Sequence, residues 1–173
     1  LVAPFFALFA LFGVWPVLRS AWLSLTDYHA TDAPRFIGLR NYAELAADER
    51  FWQALGNTAT YMASVSFIAV GLGLALALAF GSNSRLHQAV RVAFFLPSVA
   101  GGVGAISAWK WLANSEAYGL FNSLRAAVGL EPARFLGDPA WTMPVLVAVG
   151  VWSVLGYNLI IFVAGLRAIP EEL

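Results

Sequence analysis

Four long stretches without a charged residue alternate with three charged connections along the chain. The uncharged stretches are residues 1–18, 51–84, 92–109 and 139–166. A helix needs about 20 predominantly apolar residues to cross the hydrocarbon core of a bilayer, and roughly 17–25 are tolerated. The pattern therefore predicts helices that span a membrane. Their approximate bounds are residues 1–25, 55–80, 92–112 and 141–166.

Two other interpretations of these stretches are less favourable. The buried helices of a soluble all-α protein would carry a polar stripe, whereas residues 66–80 (SFIAVGLGLALALAF) have no polar side chain after Ser66. Alternating leucines in this segment resemble a strand, but the uncharged run is far longer than the roughly 3–10 residues of a typical strand. Membrane helices are therefore the preferred interpretation.

Composition and charge support this interpretation and exclude several functions. Of 173 residues, 60% are apolar and 12% are charged, against about 45–50% and 25% in soluble domains. The formal net charge is +0, so no basic surface predicts nucleic-acid binding. The chain has no cysteine and only His29 and His87 as histidines, so we predict no metal site, no cofactor and no catalytic thiol.

The start of the chain is not typical of a secretory signal peptide. It lacks a basic segment before the first apolar stretch and a small-residue cleavage site before Arg19. Because the sequence begins with Leu1 rather than Met, we expect a short cytoplasmic segment to precede it.

Tryptophan and charge placement predict the orientation. If the spans alternate, six tryptophans lie on one side of the membrane, at the headgroup level that indole rings prefer. They are Trp15, Trp22, Trp52, Trp109, Trp111 and Trp141. The connection between the second and third spans carries Arg85, His87 and Arg91 without an acidic residue, and the positive-inside rule makes it cytoplasmic. The predicted loops are 26–54 and 113–140 outside and 81–91 inside, with both termini in the cytoplasm.

The third predicted span is interrupted by helix-breaking and small residues. Pro97 removes a backbone donor and kinks a helix, Ser98 follows it, and Gly101 and Gly102 allow close approach of a neighbouring helix. A kinked, glycine-rich helix is a typical wall of a translocation path. Simple close packing is the alternative.

The fourth predicted span carries polar residues near its middle. Ser153 and Tyr157 share one face at a separation of four residues, and Asn158 flanks that face. Hydroxyl, amide and aromatic groups can bind a polar solute, so these residues are candidates for a solute path. Hydrogen bonds to neighbouring helices are the alternative.

Two local signals concern helix packing and a helix start. Small residues four apart in the second span predict close helix contacts. They are Gly71 with Ala75 and Gly73 with Ala77. Asp48 is a typical N-cap for a helix that begins at Glu49.

Four segments resemble the sugar-importer permeases of the maltose and glycerol-3-phosphate type, in the ATP-binding-cassette class. They are residues 36–58 (FIGLRNYAEL…FWQALGNT), 91–112 (RVAFFLPSVAGGVGAISAWKWL), 118–124 (YGLFNSL) and 164–173 (AGLRAIPEEL). The resemblance spans the whole chain, and its first and last segments are fairly specific. It implies an all-α polytopic membrane helix bundle of the type I importer permease kind, with about four transmembrane helices in this chain.

The resemblance also implies a mechanism and partners. In that family the last segment leads into a cytoplasmic coupling helix containing Glu-Ala-Ala, and Pro170, Glu171 and Glu172 lie where this helix begins. We expect the chain to be part of a longer permease, because it stops before that motif. The implied partners are a second permease subunit (different or identical), cytoplasmic ATP-binding subunits, an extracytoplasmic solute-binding protein and the lipid bilayer of the bacterial cytoplasmic membrane. Together they would move a sugar, a polyol or a glycerol-phosphate by alternating access.

Other classes of membrane protein fit the sequence less well. A membrane-embedded enzyme would need a cluster of histidine or acidic residues within the spans, and a secondary carrier would typically place ionisable residues at the midplane. The uncharged stretches contain neither. No phosphate-binding loop of the G-x-x-x-x-G-K-S/T type occurs, so ATP hydrolysis is expected on a separate subunit and the chain itself is not expected to be an enzyme. A purely structural anchor is the remaining alternative.

Overall fold

The protein is described by a computed structural model that covers residues 2–29, 33–99, 103–116 and 118–169. Its elements in chain order are helix α1 (Ala3–Leu23), strands β1 (Thr26–Asp27) and β2 (Arg35–Phe36), and helices α2 (Arg40–Ala47), α3 (Glu49–Phe80), α4 (Arg85–Val99), α5 (Val103–Leu112), α6 (Leu120–Ala127) and α7 (Pro139–Arg167). The described residues are thus predominantly helical and include one minimal antiparallel strand pair.

Three helices, α1, α3 and α7, are each long and apolar enough to cross a membrane. Helices α4 and α5 meet the same criterion together, as a pair whose axes differ by 102°. The described residues therefore contain three candidate spans, or four if the bent pair forms one. The predicted polytopic helix bundle is confirmed.

The third predicted span, 92–112, contains the end of α4 and all of α5. Pro97 lies inside α4, and this helix continues to Val99. Because Pro97 stands close to the end of the helix, its missing N–H removes only one backbone bond and the helix does not stop there. The predicted candidates Gly101 and Gly102 lie outside the described residues.

The predicted connection 81–91 is mostly helical. Helix α4 begins at Arg85, because Ser84 caps it: the His87 backbone N–H donates to the Ser84 hydroxyl at 3.2 Å. Only residues 81–84 separate α3 from α4. The basic residues of this connection therefore project from the first turns of a helix.

Aspartate caps fix the starts of the two longest helices. Asp48 accepts a hydrogen bond from the Arg50 backbone N–H at 2.9 Å, directly before α3. Asp138 accepts one from the Ala140 backbone N–H at 2.9 Å, and Pro139 occupies the first turn of α7. The predicted cap at Asp48 is confirmed.

The chain divides into two compact units, Leu1–Asn57 and Thr58–Leu173. In the first unit, α1 contains a π-helical segment, Ala10–Val14, at whose end the Trp15 N–H bonds to the Ala10 carbonyl. Pro16 has no N–H group and cannot donate to the carbonyl one turn earlier. The π-helical segment therefore lies where the regular hydrogen bonding of α1 is already interrupted. No residue of α1 is buried by the described part of this unit.

A small polar cluster orders the end of α1. The Asn41 amide of α2 donates to the carbonyl oxygens of Ser24 and Thr26, both at 2.9 Å. The hydroxyl groups of Ser24 and Tyr42 lie 2.6 Å apart. Thr26 pairs with Phe36 across the two strands. These bonds join α2 to the chain that leaves α1.

In the second unit, glycines allow α7 to approach its neighbours. A Cβ atom placed at Gly73 of α3 would lie 2.8 Å from the Asn158 Cβ, and one at Gly156 would lie 2.6 Å from the Phe95 Cα of α4. One at Gly150 would lie 2.8 Å from a methyl group of Val65 in α3. Small residues at these contacts are typical of membrane helix packing.

One face of α3 carries the predicted small-residue contact. Gly73 and Ala77 are buried, and Ala77 belongs to a core cluster with Leu159 and Val163 of α7. Gly71 is different, because nothing lies within 4 Å of a Cβ placed there. The spacing therefore identified two possible stripes, and only the packing determined which of them is used.

Candidate functional site

Ser153 and Tyr157 lie one turn apart on α7 in different surroundings. The Ser153 hydroxyl donates to the Val149 carbonyl oxygen at 2.8 Å, so a bond within its own helix satisfies this donor. Tyr157 is 51% exposed, and its ring meets Phe95 of α4 edge to face with centroids 5.3 Å apart. The Tyr157 hydroxyl has no hydrogen bond to any described residue.

Asn158 lies on the side of α7 that meets α3. Its Cβ is close to Gly73, and the residue is partly buried. Within the described parts of the chain its side-chain amide has no hydrogen-bond partner. An amide in apolar surroundings without a partner is costly, and in membrane helices such residues mark helix contacts or water-filled paths.

Ser98 of α4 is the second polar group without a partner. Its Oγ is buried and forms no hydrogen bond with the described residues. An unsatisfied buried hydroxyl costs about 1–3 kcal/mol. The adjacent Pro97 lines a small cavity of 230 Å³ together with Trp152 and Leu155 of α7.

The structure does not gather the candidate residues around one cavity. A larger cavity of 610 Å³ lies between α3 and α7, and its lining is apolar apart from Ser64. No described candidate lines that cavity. Tyr157 and Asn158 face different helices, as their adjacent positions on α7 require. The candidates therefore form separate polar points along α4 and α7.

The predicted coupling segment, Pro170 with Glu171 and Glu172, lies outside the described residues. Helix α7 ends just before it, at Arg167. No sequence pattern assigned a role to Arg167, although its guanidinium forms the longest-range hydrogen bonds among the described residues.

Two arginines converge on the short turn between α3 and α4. Arg91 donates through Nη1 to the carbonyl oxygens of Phe80, Gly81 and Ser82 at 3.1, 3.4 and 3.2 Å. Arg167 donates to the Gly81 carbonyl from Nη2 at 2.6 Å and from Nε at 3.2 Å. The connection 81–91, which carries Arg91, has no acidic residue, so its basic groups need other acceptors, and the open carbonyls at the end of a helix are such acceptors.

Asn122 is a second residue whose role the sequence did not reveal. It is 1% exposed and lies in α6, within the segment YGLFNSL. Its amide nitrogen donates to the carbonyl oxygens of residues 114, 115, 116 and 133 at 3.0–3.4 Å. Its amide oxygen accepts the Ala133 N–H at 2.9 Å. Asn122 thus fixes the connection between α5 and α7.

The described residues contain no group of three or more histidine, cysteine or acidic side chains that could hold a metal ion. The ion pairs in this part of the chain are exposed: Arg40 with Glu44 at 2.8 Å and His29 with Asp27 at 3.1 Å. The described polar candidates of α4 and α7, which are Ser98, Ser153, Tyr157 and Asn158, carry hydroxyl and amide groups.

The fold matches a solved structure along nearly the whole chain. The chain superimposes on the bacterial alginate ABC transporter, solved in complex with an alginate pentasaccharide-bound periplasmic protein, with a TM-score of 0.82 and 21% sequence identity. The match covers 98% of this chain and 56% of that chain. The fold is that of an ABC importer membrane subunit. No family model matches the sequence.

The chain is also similar in sequence to curated proteins. The chain is 32% identical over 174 residues to the probable ABC transporter permease protein YesP of Bacillus subtilis, covering 99% of this chain and 55% of that protein. It is 32% identical over 176 residues to the alpha-glucoside transport system permease protein AglF of Rhizobium meliloti, covering 99% and 51%. The chain therefore spans about half the length of the curated relatives it matches. The resemblance to sugar permeases of ABC transporters is confirmed along the whole chain.

Proposed function

We propose that the chain is part of the pore-forming permease subunit of an ATP-binding-cassette importer, which moves a sugar or a related polyol or glycerol-phosphate across the bacterial cytoplasmic membrane by alternating access. The observation that carries this proposal is the end-to-end similarity to sugar permeases on a fold of the same class. The helical interior, with neutral polar groups and apolar surroundings, is compatible with an uncharged solute.

The proposed solute path runs along α4 and α7. Ser98 and Asn158 support it, because their polar groups lack partners among the described residues and a solute hydroxyl or water would satisfy them. Tyr157 adds an exposed aromatic ring beside Phe95. Pro97, Ser153, Gly101 and Gly102 are the further residues that we propose for the wall of this path.

The proposed partners are those that the resemblance to sugar-importer permeases implies. A second permease subunit completes the path, cytoplasmic ATP-binding subunits hydrolyse ATP, and an extracytoplasmic binding protein delivers the solute. The permease itself has no enzymatic role. The segment Pro170–Glu172 forms the beginning of the contact with the ATP-binding subunit, and the 81–84 turn lies on the same cytoplasmic side.

Reconstituted transport tests the proposal. The complete protein, with its partner subunits, is placed in vesicles with ATP on the side of the ATP-binding subunits and the binding protein on the other. Labelled oligosaccharides, a polyol and glycerol-3-phosphate are offered in turn. Uptake of one of these solutes that requires both ATP and the binding protein is expected.

Two results would contradict the proposal. Uptake driven by an ion gradient without ATP would identify a secondary carrier. Binding of the partner subunits without any ATP-dependent uptake would identify a structural subunit. A variant of the ATP-binding subunit that binds but cannot hydrolyse ATP is the matched control, because it keeps the assembly and removes only the energy source.

A further inference from the structure

The turn between α3 and α4 is held from two distant parts of the chain. Helix α3 ends at Phe80, where the last carbonyl groups of a helix have no partner within it and carry the negative end of its dipole. Arg91 and Arg167 donate five hydrogen bonds to the carbonyl oxygens of residues 80, 81 and 82. Both arginines reach the same Gly81 carbonyl. We call this arrangement the arginine clamp.

Arg167 makes the clamp a long-range contact. It lies 86 residues after Gly81, and its Nη2 also donates to the Asn83 side-chain oxygen at 2.7 Å. Neither Arg91 nor Arg167 has a carboxylate within ion-pair distance among the described residues. The open end of α3 is therefore the acceptor for both charges, and bonds from a charged donor are about twice as strong as neutral ones.

Close packing continues from the clamp along the three helices. Ala77 of α3 packs with Leu159 and Val163 of α7, and Phe94 of α4 packs against the same cluster. Gly156 brings α7 against the backbone of α4 at Phe95. Close apolar packing, together with the charged hydrogen bonds of the clamp at one end, resists sliding and separation of the three helices.

The cavity beside the clamp does not explain why Arg91 and Arg167 lie there. A space of 480 Å³ between α4 and α7 is lined by Gln88, Arg91 and Arg167 and otherwise by apolar residues. The guanidinium donors Nη1 of Arg91 and Nε and Nη2 of Arg167 are already bonded to carbonyl or amide oxygens. These hydrogen bonds indicate that the two arginines join the helix ends and do not form an anion-binding site.

We propose that the arginine clamp makes the ends of α3, α4 and α7 move as one body, so that a displacement of the coupling segment is transmitted to the helices of the solute path. The inference rests on the proposed function, because Arg167 lies three residues before Pro170, and contact with the ATP-binding subunit is proposed for Pro170–Glu172. Arg167 is thus a positioning residue for coupling, and Asn83 is its side-chain partner.

The test compares three variants of the complete protein, assembled with its partner subunits in vesicles. Arg167→Gln removes the charged donor, Asn83→Ala removes one acceptor, and Arg85→Gln is the matched control, because Arg85 lies beside the same turn without a hydrogen bond to a described residue. The measurement is the amount of solute transported per ATP hydrolysed. For Arg167→Gln we expect this ratio to fall about tenfold while hydrolysis continues. Asn83→Ala should give a smaller fall in the same direction, and Arg85→Gln none.

A bridged variant keeps the test decisive if Arg167→Gln assembles poorly. The chain has no cysteine of its own, so Asn83→Cys with Arg167→Cys can be joined by a bifunctional thiol reagent. The ratio is expected to be low before bridging and restored after it. The inference is overturned if bridging leaves the ratio low, or if Arg167→Gln and Arg85→Gln have equal ratios. Uptake by the unaltered complex tests the proposed function, whereas only the difference between variants tests the clamp, so the two failures are distinguishable.

Discussion

Asn122 and Asn158 lie in apolar surroundings of the same unit, but only one of their side chains has hydrogen-bond partners. Asn122 is 1% exposed, and both its amide oxygen and its amide nitrogen are fully used by backbone groups. Asn158 is partly buried on a long apolar helix, and its amide has no partner among the described residues.

The difference separates a structural polar residue from a candidate functional one. A buried amide with all its hydrogen bonds stabilises a single arrangement of the chain. A partly buried amide without such partners, as at Asn158, leaves its hydrogen bonds to be completed by water or a solute. Residue type and local hydropathy do not distinguish the two cases, whereas the partners do.

The largest expected effect is the loss of the Asn122 bonds. Asn122→Ala leaves the buried N–H and carbonyl of Ala133 without a partner, so we expect the free energy of unfolding to fall by about 2–4 kcal/mol. Thermal unfolding of the complete protein in detergent measures it. Asn122→Asp should also destabilise, because it keeps the acceptor and loses the donor. Equal melting temperatures for both variants and the unaltered protein would contradict the structural role.

A smaller destabilisation is expected where α3 meets Asn158. Gly73→Ala places a methyl group 2.8 Å from the Asn158 Cβ, and relieving this overlap costs about 1–3 kcal/mol. Gly71→Ala is the matched control, because nothing lies within 4 Å of the new methyl group and alanine is the better helix former. The same unfolding measurement should therefore separate the two glycines. A Gly73→Ala protein as stable as the Gly71→Ala protein would show that this contact is not close.

Removing the unpaired groups of α7 should affect transport more than stability. Asn158→Ala keeps the Cβ contact with Gly73 and removes only the amide, so the free energy of unfolding should change by less than about 1 kcal/mol. Tyr157→Phe keeps the ring contact with Phe95 and removes only the hydroxyl. Uptake should fall or its solute preference should shift for both variants at normal abundance. Reduced abundance with unchanged solute preference would instead indicate hydrogen bonds between helices.

Single cysteines are the smallest perturbation, and they test on which side of the membrane Leu130 and Leu86 lie. Leu130 follows the helix that carries Asn122, and Leu86 lies in the first turn of α4; they are 52% and 68% exposed. Single cysteines at either position should leave uptake unchanged. An impermeant thiol reagent should label position 130 in intact cells and position 86 only after lysis. The reverse labelling would invert the proposed orientation.

Local features of the sequence determined much of the fold. The long uncharged stretches predicted the spanning helices, because backbone groups in a bilayer are satisfied only within regular structure. Asp48 predicted the start of α3, since an N-cap acts on residues immediately next to it. Pro97 predicted a kink in the third span, and α4 continues through it to Val99, because a proline near the end of a helix removes only one backbone hydrogen bond.

The tertiary structure decided which small and polar residues matter. Gly71 and Gly73 have the same spacing signal, yet only Gly73 meets another helix. Arg167 and Gly81 are 86 residues apart, and no local pattern links a basic residue at the end of one helix to the open carbonyls of another. Asn122 and Asn158 are chemically identical, so their different roles follow from the distant backbone that folding brings to one amide and not to the other.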